Sequence, residues 1–343
     1  MNTNTGGIRL INVKNDDDGQ RLDRWLKKHV PDMPYVLAQK LLRKGAIRVD
    51  GKRVKTDTKL VGGQEVKIPA FETGGVKSQK RPENKRKLSA EDAAFIRSLV
   101  IYDDGDVIAL NKPYGIATQG GTGQKRHIDG MLDALKNEEG VEPRLVHRLD
   151  KDTSGVLLLA RSAKVARELG ASFKGRDVRK IYWAIVKPCP DMFTGTIKAP
   201  IAKAGGAGRE KMIVNEEEGK FAATDYSVIE NANREAAFVA FWPRTGRTHQ
   251  IRIHAQVMGC PILGDYKYKR IEDPESKRVE ADLDGMDIAK RLHLHARRLV
   301  LPHPVKPGKV IDITAPLPPE LAKSWKALGF NPKYKGDPFE GLE

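Results

Sequence analysis

Arg144-Leu145-Val146-His147-Arg148-Leu149-Asp150-Lys151-Asp152-Thr153-Ser154-Gly155 runs directly into Val156-Leu157-Leu158-Leu159-Ala160. The Asp, Lys, Thr, Ser and Gly of the first part favour a turn. The short continuous apolar run beyond has the pattern of a buried strand. Asp150 is therefore expected at a strand's edge, with Arg148 two residues before it, so that one loop offers an acid and a base. Spacing alone leaves the direction of each side chain open, and an isolated Arg-x-Asp pair is ordinarily a surface ion pair.

Outward from this junction the chain reads as one long αβ domain from Leu99 onward, strands dominating its core. Val107-Ile108-Ala109-Leu110 is strand-like and stops at Lys112-Pro113, while Ile181–Val186 and Phe238–Trp242 are further apolar strands. Residues 162–173 and 248–258 have helical periodicity, residues 293–301 alternate, and no internal repeat is visible. Within the second helix Ile251, Ala255 and Met258 form the apolar stripe, which leaves Arg247 and Arg252 open to a reading as surface ion-pair partners. Tyr182 could equally be a core side chain. Neither His249 with His254 nor His293 with His295 has the helical i, i+4 spacing and adjacent acid of a zinc hydrolase, so no metal is expected.

Towards the N-terminus, Leu22, Trp25 and Leu26, then Val36, Leu37 and Leu41, recur at helical spacing. Ile47 and Val49 alternate before the turn dipeptide Asp50-Gly51, and Val66 and Ile68 before Pro69. The expected organisation is an extension over residues 1–19, a small module over 20–70, a basic linker over 71–97, a large domain over 98–330 and a tail over 331–343. The module's helical segment also carries Arg24, Arg43, Lys44 and Arg48, cations suited to a phosphate backbone. Lys77–Lys87 holds six basic residues against the single acid Glu83 and too little apolar surface to fold alone.

With 343 residues, 39% hydrophobic and 31% charged, the chain can build a core, and no apolar stretch approaches a membrane span. Its formal charge of +16, more than half of it carried before residue 98, favours a polyanionic partner. Cys189 and Cys260 form neither a C-x-x-C pair nor a disulfide framework, and Met1–Gly7 lack the apolar core of a signal peptide. A soluble cytoplasmic protein, a monomer without membrane association, is expected.

Residues 147–155, His147-Arg148-Leu149-Asp150-Lys151-Asp152-Thr153-Ser154-Gly155, resemble the catalytic signature of the large-ribosomal-RNA branch of pseudouridine synthases. The likeness continues in family order through Asn111-Lys112-Pro113-Tyr114-Gly115, Gly120-Gly121-Thr122-Gly123, Lys180-Ile181-Tyr182-Trp183-Ala184, residues 245–254 and Gly259-Cys260-Pro261-Ile262-Leu263-Gly264-Asp265. Leu41–Lys52 resembles the S4 RNA-binding domain. The resemblance implies an α+β fold: a small S4 domain joined to a catalytic domain built on a mixed, mainly antiparallel, curved sheet with flanking helices and a cleft between sheet halves.

It further implies that Asp150 is the catalytic carboxylate, Tyr182 the ring stacked on the target base, Arg252 the cationic partner of Asp150, and Arg148 the side chain inserted into the RNA stack. Arg247 joins these as a contact to RNA. A uridine in a folded helix must be extruded before its glycosidic bond is accessible, at a cost of a few kcal/mol, which makes a stacking ring and a replacement side chain useful. The carboxylate can attack C1′ or abstract a sugar proton, and the sequence does not choose between these routes. Isomerisation makes no redox or group-transfer demand, so no cofactor and no nucleotide site are expected; the lone Gly-rich turn lacks the Walker lysine and serine. The implied partner is 23S ribosomal RNA or a large-subunit precursor. Two alternatives stand beside this: an RNA-binding assembly factor without turnover, and a synthase acting on transfer RNA.

Overall fold

A computed structural model describes residues 3–5, 8–14, 17–71, 88–120, 126–175, 178–204, 211–269 and 286–341. Most of the expected linker, from residue 72 to 87, lies outside the described residues, as do Gly121, Thr122 and Gly123 of the Gly-rich stretch. The chain divides into two compact units, Met1–Lys87 and Leu88–Glu343.

The first unit pairs two helices, α1 (Leu22–His29) and α2 (Tyr35–Arg43), with a five-stranded sheet. Its strands are β1 (Thr3–Thr5), β2 (Ile8–Asn12), β3 (Arg48–Val49), β4 (Lys52–Arg53) and β5 (Glu65–Ile68), in the order β1-β2-β5-β3-β4. Leu22, Trp25 and Leu26 of α1 and Ala38 and Leu42 of α2 bury the helical stripe against Ile47, Val49, Leu60, Val66 and Ile68. Gly45 ends α2 with φ +68°, its N–H donating to Leu42 O and that of Ala46 to Leu41 O. These bonds satisfy carbonyls that a helix end would otherwise leave unpaired. Asp50 and Gly51 both have positive φ, the geometry of a two-residue hairpin turn. Residues 9–12, expected as part of an extension, pair with β5 instead.

The second unit begins with α3 (Ala90–Ser98), capped by Ser89, whose side chain accepts the Asp92 N–H at 3.0 Å. Then come β6 (Val100–Asp103), β7 (Val107–Lys112), a 3-10 turn over Asp129–Leu135, β8 (Arg144–Leu145), β9 (Ser154–Ala160), α4 (Ala163–Ser172) and β10 (Arg179–Val186). β11 (Thr194–Lys198), β12 (Ile201–Lys203), β13 (Met212–Val214), β14 (Ala223–Ala232), β15 (Ala236–Pro243) and α5 (Gln250–Val257) follow. The last elements are β16 (Leu294–Pro302), β17 (Val310–Thr314) and α6 (Pro319–Ala327).

The main sheet runs β11-β14-β15-β10-β16-β9-β7-β6, with β17 added at β16 and β8 at β9. Every pairing is antiparallel except β9 with β16, where Ser154 and Gly155 meet His295 and Ala296. The approach is so close that a Cβ on Gly155 would lie 2.2 Å from Ala296 O, and its φ of +116° also calls for glycine. The sheet is thus an antiparallel β11-to-β16 part joined through one short parallel contact to a β9-β7-β6 part.

Alternation in β10 and β15 separates two cores. Ala184, Val186, Val239 and Phe241 face Ile251 and Ala255 of α5, whereas Ile181, Trp183, Phe238 and Trp242 face Leu321 and Trp325 of α6. Phe339 packs into this second core, so the expected tail over 331–343 is docked on the sheet through its described residues. β9, apolar on both faces, buries Val156 and Leu158 against α4 and Leu157 and Leu159 against the 3-10 turn and α3.

Candidate active site

The loop between β8 and β9 places Asp150 beside the parallel junction, and neighbouring side chains fix its backbone. The Thr118 hydroxyl donates to Leu149 O at 2.7 Å and accepts the Leu149 N–H at 3.1 Å. After Asp150, the Gly115 N–H donates to Lys151 O at 2.9 Å, and the Thr153 N–H closes a turn onto Asp150 O at 3.1 Å. Lys112, fully buried at the end of β7, directs its ammonium to Pro113 O and Ile116 O, both 2.9 Å away, and to Lys151 O at 3.4 Å. Burial brings its pKa down to about 7, against the opposing pull of the Asp150 carboxylate. Asn111-Lys112-Pro113-Tyr114-Gly115 therefore serves as the floor of the loop.

Asp150 is left 22% exposed, between two adjoining cavities of about 300 and 340 Å³ that share Arg148, Leu149, Asp150, His249 and Arg252 in their linings. Volumes of this size suit a small ligand or an extruded nucleotide. Tyr182 of β10 is partly buried and lines the first cavity; burial, then the nearby Asp150 carboxylate, push its phenol well above the ordinary value, so it stays protonated. Lys180, one pleat along the same strand, faces the same cavity, and among the described residues no carboxylate pairs with it. Burial lowers its pKa. His147 is stacked on Phe173 and accepts the Leu158 N–H through Nε2 at 2.8 Å. Burial, aided by Lys180, holds it neutral with a pKa of about 3.

Arg252 departs from the sequence expectation. It is only 2% exposed, and its direct partner is Asp265: Nε and a terminal nitrogen each lie 2.7 Å from a carboxylate oxygen. Asp152 lies 4.0 Å from the guanidinium, whereas Asp150 acts on it electrostatically. The physical reason is desolvation, because a guanidinium buried this deeply requires a fork-shaped acceptor in the same dry region. Asp265 also accepts the backbone N–H groups of Lys267 and Tyr268, at 2.9 and 3.1 Å. Burial opposes the charge on Arg252, but Asp265, with Asp150 and Asp152 beside it, outweighs this and raises its pKa. The surface ion-pair alternative therefore fails for this residue.

The start of α5 is held by Gln250, whose amide oxygen accepts from Thr245 Oγ1 and the Arg247 N–H, while its nitrogen donates to Ala223 O and Thr224 Oγ1. Arg247 is exposed at the cavity rim, with Nε donating to Phe221 O at 3.1 Å; Arg148 is exposed beside Asp150. Arg24, Arg43, Lys44 and Arg48 are exposed on the first unit, Arg48 with hydrogen bonds to Gly45 O and Gly51 O.

Sequence reasoning misses the site roles of Lys112, Thr118, His249 and Asp265. It considers His249 only as half of a metal pair, yet Nε2 lies 3.8 Å from an Asp150 oxygen. For Asp265 a signal does exist: Arg252 lies between Ile251 and Ile253, and an arginine inside a buried helical segment demands a carboxylate. His254 bonds Thr224 Oγ1 and Ala199 O, and His295 bonds Ser154 Oγ and Ala315 O, so both serve the scaffold. Asp104, Asp106 and His303 approach one another away from the cavity, but Lys306 and Lys309 already neutralise them.

A family profile described as RNA pseudouridylate synthase matches residues 106–257. The chain is 35% identical over 328 residues to the ribosomal large subunit pseudouridine synthase C of Salmonella typhi, covering 96% of this chain and 99% of that protein. The Escherichia coli K12 protein of the same name is 34% identical over the same shares. Among solved structures, human RNA pseudouridylate synthase domain containing 4 superposes with a TM-score of 0.56 at 28% identity, covering 70% of this chain and 97% of that one.

Proposed function

The chain belongs to the RNA pseudouridylate synthase family, and from that premise we propose that it isomerises uridines of 23S ribosomal RNA with Asp150 as the catalytic carboxylate. The observation that carries the reading is the placement of Asp150: an accessible carboxylate on a backbone pinned at three successive residues, between two cavities rimmed by Arg148, Arg247 and Lys180. The reaction breaks the bond from C1′ to N1, turns the freed uracil and joins C5 to C1′. A carboxylate held in place can attack C1′ or take a sugar proton, and the walls retain the detached base.

Tyr182 stacks on the extruded base, and its raised phenol pKa keeps the ring neutral in that role. Arg252 acts as a fixed positive charge beside Asp150, anchored by Asp265 so that it does not collapse onto the catalytic carboxylate. Arg148 fills the stack that the uridine leaves, and Arg247 contacts the flanking backbone. The first unit is an S4 RNA-binding domain whose Arg24, Arg43, Lys44 and Arg48 meet phosphates, as a single-stranded or folded RNA partner requires. The site of action is cytoplasmic, on the large-subunit RNA.

The test offers unmodified 23S and transfer RNA transcripts to the purified protein and maps new pseudouridine. Product on 23S RNA is expected. Product confined to transfer RNA contradicts the substrate, and tight binding without product on either contradicts turnover.

A further inference from the structure

We infer that His249 is a positioning residue for Asp150, using an Nε2–H to hold one carboxylate oxygen so that the other faces the reacting sugar. The inference rests on the reading of Asp150 above.

His249 precedes α5 in a left-handed conformation, φ 55° and ψ 19°, uncommon for a residue with a Cβ and maintained only where the surroundings enforce it. Its side chain is 9% exposed. Nδ1 lies 2.7 Å from Tyr268 Oη, and Nε2 lies 3.8 Å from Asp150 Oδ2. Tyr268 decides which nitrogen carries the proton. Its hydroxyl oxygen accepts the Met212 N–H at 3.1 Å, a group that can only donate. The phenol is itself buried and must place its own hydrogen on an acceptor. Among the described residues, His249 Nδ1 is the acceptor in reach. Nδ1 is thus occupied as an acceptor, and the proton of the neutral ring sits on Nε2, towards Asp150.

The groups acting on the ring are Asp150, Arg252, Lys267, Asp265 and Tyr268. Burial lowers its pKa, and Arg252 and Lys267 add to that effect against Asp150 and Asp265. The ring is therefore a neutral donor near neutral pH. A donor on Nε2 holds one carboxylate oxygen and leaves the other free for attack on C1′ or for proton abstraction. The 3.8 Å separation is longer than a hydrogen bond, and such contacts tighten when substrate closes the site.

Single-turnover pseudouridine formation on the 23S transcript, with RNA affinity measured alongside, tests this across pH for His249→Leu, His249→Gln, Tyr268→Phe and Asp150→Asn. His249→Leu should slow isomerisation about a hundredfold at unchanged affinity. His249→Gln, whose amide reaches the position of Nε2, should recover most of that loss. Tyr268→Phe frees Nδ1 to take the proton, so its rate should fall at high pH and recover as pH drops and the imidazolium gains hydrogens on both nitrogens. The wild type should show no such recovery. A glutamine variant no faster than the leucine one, or a Tyr268→Phe profile parallel to wild type, overturns the proposal; the second comparison stands even if His249→Leu does not fold. Full activity of Asp150→Asn removes the underlying reading as well, whereas loss there with none in the His249 variants removes the positioning role alone.

Discussion

Thr118 shows how much of the site depends on one side chain that carries no chemistry. Its hydroxyl serves both backbone groups of Leu149, and Thr118 and Leu149 are both buried, so no solvent stands ready to replace it. Thr118→Val keeps the shape and removes both bonds. Leaving a buried N–H and C=O unpaired costs roughly 1–3 kcal/mol each. Urea denaturation should therefore show a loss of roughly 2–6 kcal/mol, and single-turnover isomerisation should fall while RNA affinity holds. A variant as stable and as fast as wild type would mean that the loop is fixed elsewhere. Asp150 itself is legible only through its company, because an Arg-x-Asp pair in a polar turn has no local mark of catalysis. That Arg252 needs a buried carboxylate is legible from its place between Ile251 and Ile253, but which carboxylate is not, since burial rather than spacing selects Asp265.

At the scale of elements, β16, the residue just before it and the loop before β9 carry a set of histidines that the fold requires to be neutral. His293 is held at a pKa of about 4 and His295 at about 3, both by burial first, and His147 at about 3. His147 accepts the Leu158 N–H on a ring nitrogen, a bond that protonation would abolish, while His295 is bonded to Ser154 Oγ and Ala315 O in the dry interior. An unfolded histidine titrates near 6.5. Between 6.5 and these depressed values the unfolded chain binds more protons than the folded one, so stability is fully present above 6.5 and declines as pH falls. At pH 5 each histidine removes about 2 kcal/mol. The unfolding midpoint in urea should accordingly drop steeply from pH 7 to pH 5, and a flat profile would contradict the assignment.

The strands around these histidines are readable in sequence because β7, β9, β10 and β15 are apolar runs. β2 is not, because all but its last residue are partly buried and only pairing with β5 gives it a place. The order of strands, with one parallel contact at β9, follows from long-range packing that no local pattern encodes.

At the scale of the whole molecule, the formal charge of +16 makes binding to a polyanion a salt-dependent event. Arg24, Arg43 and Lys44 are exposed on the first unit, and removing a cation that neutralises one phosphate should lower the log–log salt slope by about 0.7 to 0.9. Replacing the three by Gln should therefore reduce the slope by about 2 and weaken RNA binding at low salt; an unchanged slope would place the RNA contacts elsewhere. No helix among the described residues is long and apolar enough to cross a membrane. The proposed catalytic role rests on Asp150, whose loop is held by Thr118 and Lys112 and beside which Arg252 and His249 lie. The most direct measurement compares wild type with Asp150→Asn on a 23S transcript, scoring pseudouridine and RNA affinity in the same samples. Pseudouridine from wild type alone, with equal RNA binding by both proteins, is the predicted result; equal pseudouridine from both would contradict it.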